Sequence, residues 1–407
     1  MRQRFLATAI LLLGVLPAFG QDFFFQPKDR VVFLGDSITE QYQYSSTIEL
    51  YLTTRFPKWN LTFINAGIGG DSAGGGASRF KTHVLAENPT CVTINFGMND
   101  GGYGKFNPGA CANFVKNTET MLDMAKKANV RVALMSPNAV DRRVQERFKL
   151  YLETQKEFYA PLKDAAAKYG ARFVDQYAVT RTSLEKMETD NAKVIPFGDG
   201  FHTSSNGGLF MAHAILTGLN APRLVSNVGI DVGAKNALTQ DCKIDNLKIT
   251  ESGLTFDRTD NALPMPIAKD WVSLLPYVNN LDDLNFYGLS VAGLPGEKYV
   301  LLVDGKELGQ FAKKQLVEGV NLGTLQTGPI FEKGQKIFAA INEKNKMVHA
   351  RFRGVVMAQI PDWLHDVAKE MRPAELLKRS EFIQKRQAEI YEMVQPTTWR
   401  FELKVAQ

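Results

Sequence analysis

Three residues whose side chains could together cleave an ester stand close to predicted turns. Ser37 ends the tripeptide Gly35-Asp36-Ser37, directly after the apolar run 31–34, while Asp199 and His202 lie three residues apart. A serine hydroxyl becomes a good nucleophile when an imidazole removes its proton, and a carboxylate must hold that imidazole in one tautomer. The spacing therefore predicts Ser37 as nucleophile, His202 as base and Asp199 as the residue that orients His202.

Two further turns supply donors for an oxyanion hole. Gly70 lies in the glycine-rich turn 65–71, and Asn99 lies in Gly97-Met98-Asn99-Asp100. The tetrahedral intermediate of acyl transfer is stabilised by N–H groups aimed at its negatively charged oxygen. We predict that the backbone N–H groups of Ser37 and Gly70 and the side-chain amide of Asn99 are these donors.

The elements that must position these turns alternate between strand and helix. The strand-like runs are 31–34, 61–64, 92–96, 132–135 and 172–174, and helical stretches are expected at about 46–55, 79–85, 112–128 and 144–169. Ser204 would cap a last helix that runs through Leu219. This order predicts an α/β fold, a three-layer α/β/α sandwich with a five-stranded, mainly parallel sheet. The turns then meet at its carboxyl edge, where such sheets bind ligands.

The first twenty residues are typical of an export signal. Arg2 and Arg4 precede the apolar run 5–16, which is too short to span a bilayer, and Ala18-Phe19-Gly20 provides small residues at a cleavage site. We expect a signal peptide at 1–20, a secreted or periplasmic protein, and no integral membrane segment in the mature chain. The alternative is an N-terminal membrane anchor.

The sequence pattern changes after about residue 222. Short alternating runs separated by turns lie at 228–254 and again at 289–348, and the second stretch includes the hairpin signal Asp304-Gly305. Helical spacing returns at 363–392, and 399–403 alternates like a last strand. The predicted organisation is therefore a catalytic domain at 21–221, a smaller β-rich accessory domain at 222–360, and a helical C-terminal segment at 361–407.

Composition excludes several classes of partner. The 407 residues carry a formal net charge of +5, and the basic residues are scattered, so no nucleic acid is expected. The histidines and the three cysteines lack the spacing of metal ligands, so no metal site is predicted. Cys91 is expected to be buried, and a disulfide between Cys111 and Cys242 stays an alternative.

Four short motifs, taken in order, resemble the blocks of the GDSL, or SGNH, hydrolase family. They are Gly35-Asp36-Ser37, Gly70, Gly97-Met98-Asn99-Asp100 and Asp199-Gly200-Phe201-His202, and the resemblance covers about residues 30–220. It implies a flavodoxin-like fold, no cofactor, and the roles given above for the five site residues. Members of the family are mostly esterases, lipases and carbohydrate deacetylases.

The resemblance also narrows the expected substrate. The stretches around Gly35–Gln41 and Gly97–Tyr103 and the β-rich tail resemble secreted bacterial members with an accessory domain. For an exported enzyme of this family we expect a serine esterase that removes acetyl groups from carbohydrate. Its partner would be a small ester or an acetylated carbohydrate. The alternatives are an O-acyltransferase using the same site and a non-catalytic glycan-binding protein that retains the fold.

Three residues are predicted to bind substrate: Asp36 and Asp100, which belong to the motifs, and Tyr103, which follows the third motif. Asp100 could instead cap the glycine-rich loop that follows it, and Tyr103 could simply pack within that loop.

Ser72 is a competing nucleophile. It lies in Gly70-Asp71-Ser72-Ala73-Gly74, which matches the Gly-x-Ser-x-Gly elbow of a different hydrolase fold. That elbow requires the serine to follow its strand at once, whereas seven residues separate Ser72 from the run 61–64. The sequence therefore favours Ser37, and Ser72 is expected to satisfy its own turn.

Overall fold

The computed structural model describes residues 23–406, so the predicted signal peptide at 1–20 lies outside the described residues. The first five strands are β1 (Arg30–Gly35), β2 (Thr62–Gly67), β3 (Cys91–Asn95), β4 (Arg131–Met135) and β5 (Arg172–Val174). They form one all-parallel sheet in the order β2-β1-β3-β4-β5. The predicted α/β fold with a five-stranded parallel sheet is confirmed.

Eight helices accompany this sheet. They are α1 (Ser37–Glu40), α2 (Gln43–Arg55), α3 (Ala73–Arg79), α4 (Pro108–Lys127), α5 (Phe148–Tyr159), α6 (Pro161–Tyr169), α7 (Gln176–Thr189) and α8 (Ser205–Gly218). The strands are apolar along nearly their whole length because helices cover both faces of the sheet. Residues 31–34 of β1 are at most 2% exposed.

Some helix boundaries differ from the prediction. The helix expected at 79–85 begins earlier, at Ala73, and continues only as a π-helical turn at Phe80–Val84. The sequence does not indicate a helix start at Ala73, because the next three residues are glycines, which are poor helix formers. Gly76 is required there, because a Cβ would lie 2.4 Å from the ring of Phe96. The single helix expected at 144–169 is two helices, since Pro161 begins a new one.

The second half contains two further sheets. Its strands are β6 (Leu224–Asp231), β7 (Asn236–Gln240), β8 (Cys242–Thr250), β9 (Gly253–Asp260), β10 (Phe286–Ala292), β11 (Lys298–Val303), β12 (Lys306–Ala312), β13 (Val320–Asn321) and β14 (Thr398–Val405). One sheet has the order β13-β10-β6-β7 and the other β12-β11-β14-β9-β8. A separate hydrophobic core lies between them. The last strand predicted from 399–403 is present as β14.

Residues 23–406 contain three further α-helices, and one of them corrects the prediction. They are α9 (Lys313–Glu318), α10 (Gly328–Arg351) and α11 (His365–Met393). Short 3₁₀ segments lie at Leu85–Glu87, Lys269–Tyr277, Asn279–Leu281, Leu322–Thr324 and Asp362–Leu364. A π-helical turn lies at Phe352–Val356. Strands β10 to β13 confirm the earlier part of the stretch expected to hold short strands up to residue 348, but the expectation is wrong for residues 328–348, because α10 occupies these twenty-one residues.

Helix α10 is fastened to the α/β sandwich by a buried ion pair. Lys344 Nζ lies 2.5 Å from Glu49 Oε1 of α2 and 2.9 Å from Gln387 Oε1 of α11, and neither charged side chain is more than 1% exposed. Ile337 and Ile341 of α10 also belong to the hydrophobic core of the sandwich. The C-terminal helices are therefore part of the catalytic half's packing.

Replacing Lys344 by alanine is expected to lower the free energy of unfolding by about 3–5 kcal/mol, because Glu49 would be left buried without its cation. Urea unfolding of the full chain measures this change. The matched control is Lys336→Ala, since Lys336 is exposed on the same helix, and its effect should stay within about 0.5 kcal/mol. Equal urea midpoints of unfolding for Lys344→Ala and Lys336→Ala would contradict a buried ion pair between Lys344 and Glu49.

The three cysteines are free. Cys91 and Cys111 are buried and Cys242 is half-buried, so the burial expected for Cys91 is confirmed and the alternative disulfide between Cys111 and Cys242 is not formed. Among residues 23–406, no helix combines the length and apolar character needed to cross a membrane.

Candidate active site

The turn after β1 presents Ser37 at the carboxyl edge of the sheet. Ser37 is the first residue of α1, and Asp36 caps that helix by accepting a hydrogen bond from the Ile38 N–H at 2.9 Å. Gly35 is required because a Cβ there would lie 2.1 Å from Thr39 Oγ1 and 2.7 Å from the Asn95 carbonyl oxygen. The short helix thus fixes the hydroxyl of Ser37 just beyond the carboxyl end of β1.

The structure brings the three predicted catalytic side chains into one line. Ser37 Oγ lies 2.7 Å from His202 Nε2, and His202 Nδ1 lies 2.6 Å from Asp199 Oδ2. Both distances are those of good hydrogen bonds. With Nδ1–H donated to the carboxylate, Nε2 is the nitrogen that accepts the serine proton.

Asp199 is held as an ionised acceptor by its own loop. Its Oδ1 accepts the backbone N–H groups of His202 at 2.9 Å and Phe201 at 3.2 Å. Partial burial alone would raise the pKa of Asp199, but the hydrogen bonds from His202 and Phe201 outweigh it and hold that pKa below its usual value. Gln145 Nε2 also donates to the Asp199 carbonyl oxygen at 2.6 Å, a contact that the sequence did not indicate.

The second and third turns lie on either side of Ser37, because β2 and β3 both pair with β1. Gly70 adopts φ +74°, a conformation that favours glycine, in the turn after β2. Asn99 Nδ2 donates to the Asp71 carbonyl oxygen at 2.8 Å, which links the third turn to the second. An amide has two N–H groups, so Asn99 keeps one for an oxyanion.

Charged residues that the sequence did not single out hold the Gly70 turn at both ends. The Gly69 N–H donates to Glu40 Oε2 at 2.5 Å, and Glu40 Oε1 lies 3.0 Å from Arg353 Nε. On the other side, Arg79 Nε lies 2.8 Å from Asp71 Oδ2. Arg353 is more than 300 residues away in sequence from Glu40, so only the folded chain reveals this contact. The sequence offers one signal for the role of Glu40, which is its position three residues after Ser37 on the same short helix.

Tyr103 orients the amide of Asn99. Its hydroxyl donates to Asn99 Oδ1 at 3.1 Å, and its ring lies 5.0 Å from the ring of Phe201, next to His202. Arg147 stacks over the same tyrosine at 5.7 Å. Tyr103 is therefore packed in its loop, as one of the two expectations had it, and its contact with substrate stays a prediction.

Tyr103→Phe is expected to lower kcat about fivefold to tenfold with little change in KM, because losing one neutral hydrogen bond of about 1 kcal/mol lets the Asn99 amide turn away from the oxyanion. Hydrolysis of 4-nitrophenyl acetate measures the effect. Tyr169→Phe, at the end of α6 on the opposite edge of the sheet, is the control and should match the wild type. An unchanged kcat for Tyr103→Phe would show that Asn99 needs no support.

The two predicted acidic contacts are held inside the site. Asp36 is 2% exposed, and its burial raises the pKa to about 7. Asp100 accepts the Ala73 N–H at 3.1 Å, and burial raises its pKa to about 6. Asp36 therefore has no contact surface for a substrate, because its carboxylate is enclosed as the cap of α1. Asp100 caps α3, not the loop after it, and its contact with substrate stays a prediction.

Asp36→Asn is expected to stabilise the protein at pH 8 and change little at pH 4. An unfolded aspartate titrates near pH 4, so between about pH 4 and 7 the folded state binds more protons than the unfolded state, and the free energy of unfolding falls as pH rises. Asparagine keeps the oxygen that caps Ile38 but carries no charge. Urea unfolding should give a gain of about 2–4 kcal/mol at pH 8; equal losses at both pH values would contradict it.

Ser72 has the structural role that was expected for it. Its Oγ accepts the Gly75 N–H at 3.5 Å as the cap of α3, while the imidazole of His202 bonds to Ser37. Within the part of the chain that the structure describes, no cluster of histidine, cysteine, aspartate and glutamate side chains could hold a metal ion.

Comparison with known proteins agrees with this geometry. Residues 33–207 match the model of the GDSL-like lipase/acylhydrolase family. Thioesterase 1/protease 1/lysophospholipase L1 of Escherichia coli is 30% identical over 140 residues, which are 33% of this chain and 65% of that protein. The chain thus spans about two thirds of the length of the curated relative.

One solved structure extends the likeness beyond residues 33–207. A gut microbial diltiazem-metabolizing enzyme has a TM-score of 0.81 and 26% identity, covering 94% of this chain and 98% of that one. An acetylxylan esterase from Geobacillus stearothermophilus has a TM-score of 0.42 and 20% identity over 48% of this chain and 96% of that one. Residues 33–207 of the chain belong to the GDSL-like lipase/acylhydrolase family.

Proposed function

We propose that the protein is a carboxylic ester hydrolase that forms an acyl-enzyme on Ser37. The observation that carries this proposal is the hydrogen-bonded line from Ser37 Oγ through the His202 ring to Asp199. A binding pocket gains nothing from a base placed 2.7 Å from a serine hydroxyl, so these contacts favour an enzyme over a non-catalytic glycan-binding protein.

The first half-reaction begins at the ester carbonyl. Ser37 Oγ attacks the carbonyl carbon while His202 Nε2 takes the hydroxyl proton, and Asp199 stabilises the resulting imidazolium. The carbonyl oxygen becomes an oxyanion between the Ser37 N–H, the Gly70 N–H and the free N–H of Asn99. Each donor contributes about 3 kcal/mol to the stability of the transition state.

Collapse of this intermediate completes acylation: His202 gives its proton to the leaving alcohol, which departs and leaves the acyl group on Ser37. The second half-reaction restores the serine. Water attacks the acyl carbon while His202 removes one of its protons; the bond from the acyl carbon to Ser37 Oγ then breaks, His202 returns the proton to Ser37 Oγ, and the acid is released. An O-acyltransferase would use a sugar hydroxyl in place of water at this step.

The substrate proposed for this chemistry is an acetylated carbohydrate acted on outside the cytoplasm. The predicted signal peptide at 1–20 supports it, as do the neutral side chains of Gln41 and Thr203, which bond to each other beside His202. Export predicts a mature chain beginning at Gln21, which intact mass spectrometry of the protein recovered from its host can test.

A substrate panel tests the proposed specificity. It comprises acetylated sugars, 4-nitrophenyl acetate and octanoate, an acyl thioester and a lysophospholipid. We expect free acetate from the sugars, with kcat/KM for 4-nitrophenyl acetate at least tenfold above that for the octanoate ester. Release of long or phenolic acyl groups without any acetate would overturn the carbohydrate assignment, and transfer of acetyl between sugars with little free acetate would indicate the acyltransferase.

A further inference from the structure

A cleft of about 510 Å³ opens beside the triad, between the sandwich and helix α10. The α1–α2 junction forms one wall and α10 forms the other, and the 3₁₀ segment Lys269–Tyr277 contributes Trp271. The volume lies within the range of about 300–1,000 Å³ that small-molecule sites occupy. None of the residues predicted from sequence to bind substrate lines this cleft.

The cleft begins one helical turn from the nucleophile. Gln41 lines it, and the Gln41 N–H donates to the Ser37 carbonyl oxygen at 3.0 Å, so the two residues follow each other on one face of α1. Gln41 Oε1 also accepts the Thr203 hydroxyl at 3.0 Å. Because Thr203 is the residue after His202, the wall of the cleft is continuous with the catalytic loop.

This position suits the alcohol part of an ester. His202 must deliver its proton to the leaving oxygen, so the alcohol has to lie on the side of the His202 loop. The Gln41 wall lies on that side, because Gln41 bonds to Thr203 next to His202, whereas the carbonyl oxygen is held by the oxyanion donors. A group that enters the cleft along Gln41 is therefore attached to the leaving oxygen.

The lining is suited to a neutral, hydroxyl-rich ligand. Amide and hydroxyl side chains make up more than half of the lining, among them Gln41, Gln43 and Asn342, and such groups both donate to and accept from the hydroxyl groups of a ligand. The charged lining residues are Glu40, which is paired with Arg353 and His349, and Lys346. Trp271 and Phe338 also line the cleft, with their ring centroids 5.5 Å apart. Phe338 is only partly buried, so its ring is available to the apolar face of a sugar.

The wall formed by α10 is rigid before any ligand arrives. Asn345, which lines the cleft, donates to Ser46 Oγ at 3.0 Å and to Glu49 Oε2 at 3.0 Å, next to the buried pair between Lys344 and Glu49. A site that is already in its bound shape spends little free energy on ordering side chains.

We propose that this cleft is a subsite for neutral sugar residues linked to the acetylated one, so that α10 of the C-terminal half determines which carbohydrate is used. The inference rests on the proposed ester hydrolysis and adds the place and chemical class of the leaving group.

The test compares two kinds of substrate in two variants. Asn342→Trp places an indole in the mouth of the cleft, and Lys336→Trp places one elsewhere on the exposed surface of α10. For each protein, kcat/KM is measured with 4-nitrophenyl acetate and with acetylated xylotriose and cellotriose. For Asn342→Trp we expect the ratio of oligosaccharide to 4-nitrophenyl acetate to fall at least tenfold, mainly through KM, and for Lys336→Trp we expect the ratio to stay at the wild-type value.

The outcomes separate this inference from the proposed function. An unchanged ratio in Asn342→Trp, or a wild type that cleaves 4-nitrophenyl acetate but neither oligosaccharide, overturns the subsite while ester hydrolysis stands. A wild type with no more activity than Ser37→Ala on every substrate overturns both. If Asn342→Trp does not fold, as judged by its circular dichroism, Asn342→Ala is used, for which we expect KM for the oligosaccharides to rise about threefold; an unchanged KM overturns the subsite.

Discussion

Replacing Ser37 by alanine is expected to lower kcat for ester hydrolysis by about 10⁴-fold to 10⁶-fold, because no acyl-enzyme can form without the attacking oxygen. Alanine should not disturb the fold, since Asp36 still caps α1 by accepting the Ile38 N–H. Residual hydrolysis would come from the Gly70 and Asn99 donors and from substrate binding. Initial rates with 4-nitrophenyl acetate measure the loss.

Ser72→Ala is the matched control for this experiment. Ser72 Oγ accepts only the long bond from Gly75, so its removal should cost about 1 kcal/mol of stability at most and leave kcat within twofold of the wild type. If activity were lost in Ser72→Ala and kept in Ser37→Ala, the Gly-x-Ser-x-Gly turn would be the nucleophile elbow after all. The assignment of every other site residue would then fall with it.

Replacing Asp199 by asparagine is expected to lower kcat by about 10³-fold to 10⁴-fold with a much smaller change in KM. An asparagine amide donates to His202 Nδ1, so the ring proton moves to Nε2, which can then no longer accept the proton of Ser37. The loss should be smaller than for Ser37→Ala because the nucleophile and the oxyanion donors remain.

The control for the Asp199 variant is Asp190→Asn. Asp190 is an aspartate paired with Lys186 at the end of α7, and its replacement should leave kcat unchanged. A loss of less than tenfold in Asp199→Asn would mean that the 2.6 Å contact with His202 does not govern the tautomer, and that another group orients the ring.

The central sheet and the triad were predictable because their signals are local. A run of apolar residues that ends in Gly-Asp-Ser specifies both a buried parallel strand and the sharp turn after it, and β1 with Ser37 lies where that pattern puts them. Asp199 and His202 are three residues apart, so one loop brings them together without help from the rest of the fold. The Asn99 turn follows its strand in the same way.

The start of α3 and the identity of α10 were not predictable by the same reasoning. Three consecutive glycines indicate a loop, yet they lie within α3. Glycine is needed at position 76 because the ring of Phe96 leaves no room there for a side chain. In α10, Lys344 reads as a solvated residue of a charged stretch, but it is buried against Glu49, 295 positions earlier in the chain. Tertiary packing determines both the start of α3 and the burial of Lys344, and no local sequence pattern indicates that packing.

The residues that support the oxyanion turn and form the cleft were missed for a related reason. Glu40, Arg79 and Arg353 are charged, and charged residues are usually solvated. Glu40 and Arg79 contact the Gly69–Asp71 turn only because the fold brings α1 and α3 to it, and Arg353 reaches Glu40 only because the C-terminal part of the chain packs against the sandwich. A sequence pattern identifies the groups that carry out the chemistry, whereas the fold identifies the groups that hold them in place.

The most direct test of Ser37 as the nucleophile is covalent labelling. A fluorophosphonate reacts with an activated serine and leaves a stable adduct, which peptide mass spectrometry assigns to one residue. We predict a single adduct on Ser37 in the wild type, and no adduct on Ser37 in His202→Ala, since the serine would then lack its base. An adduct on Ser72 or on another serine, or an active protein that is not labelled at all, would contradict the role of Ser37.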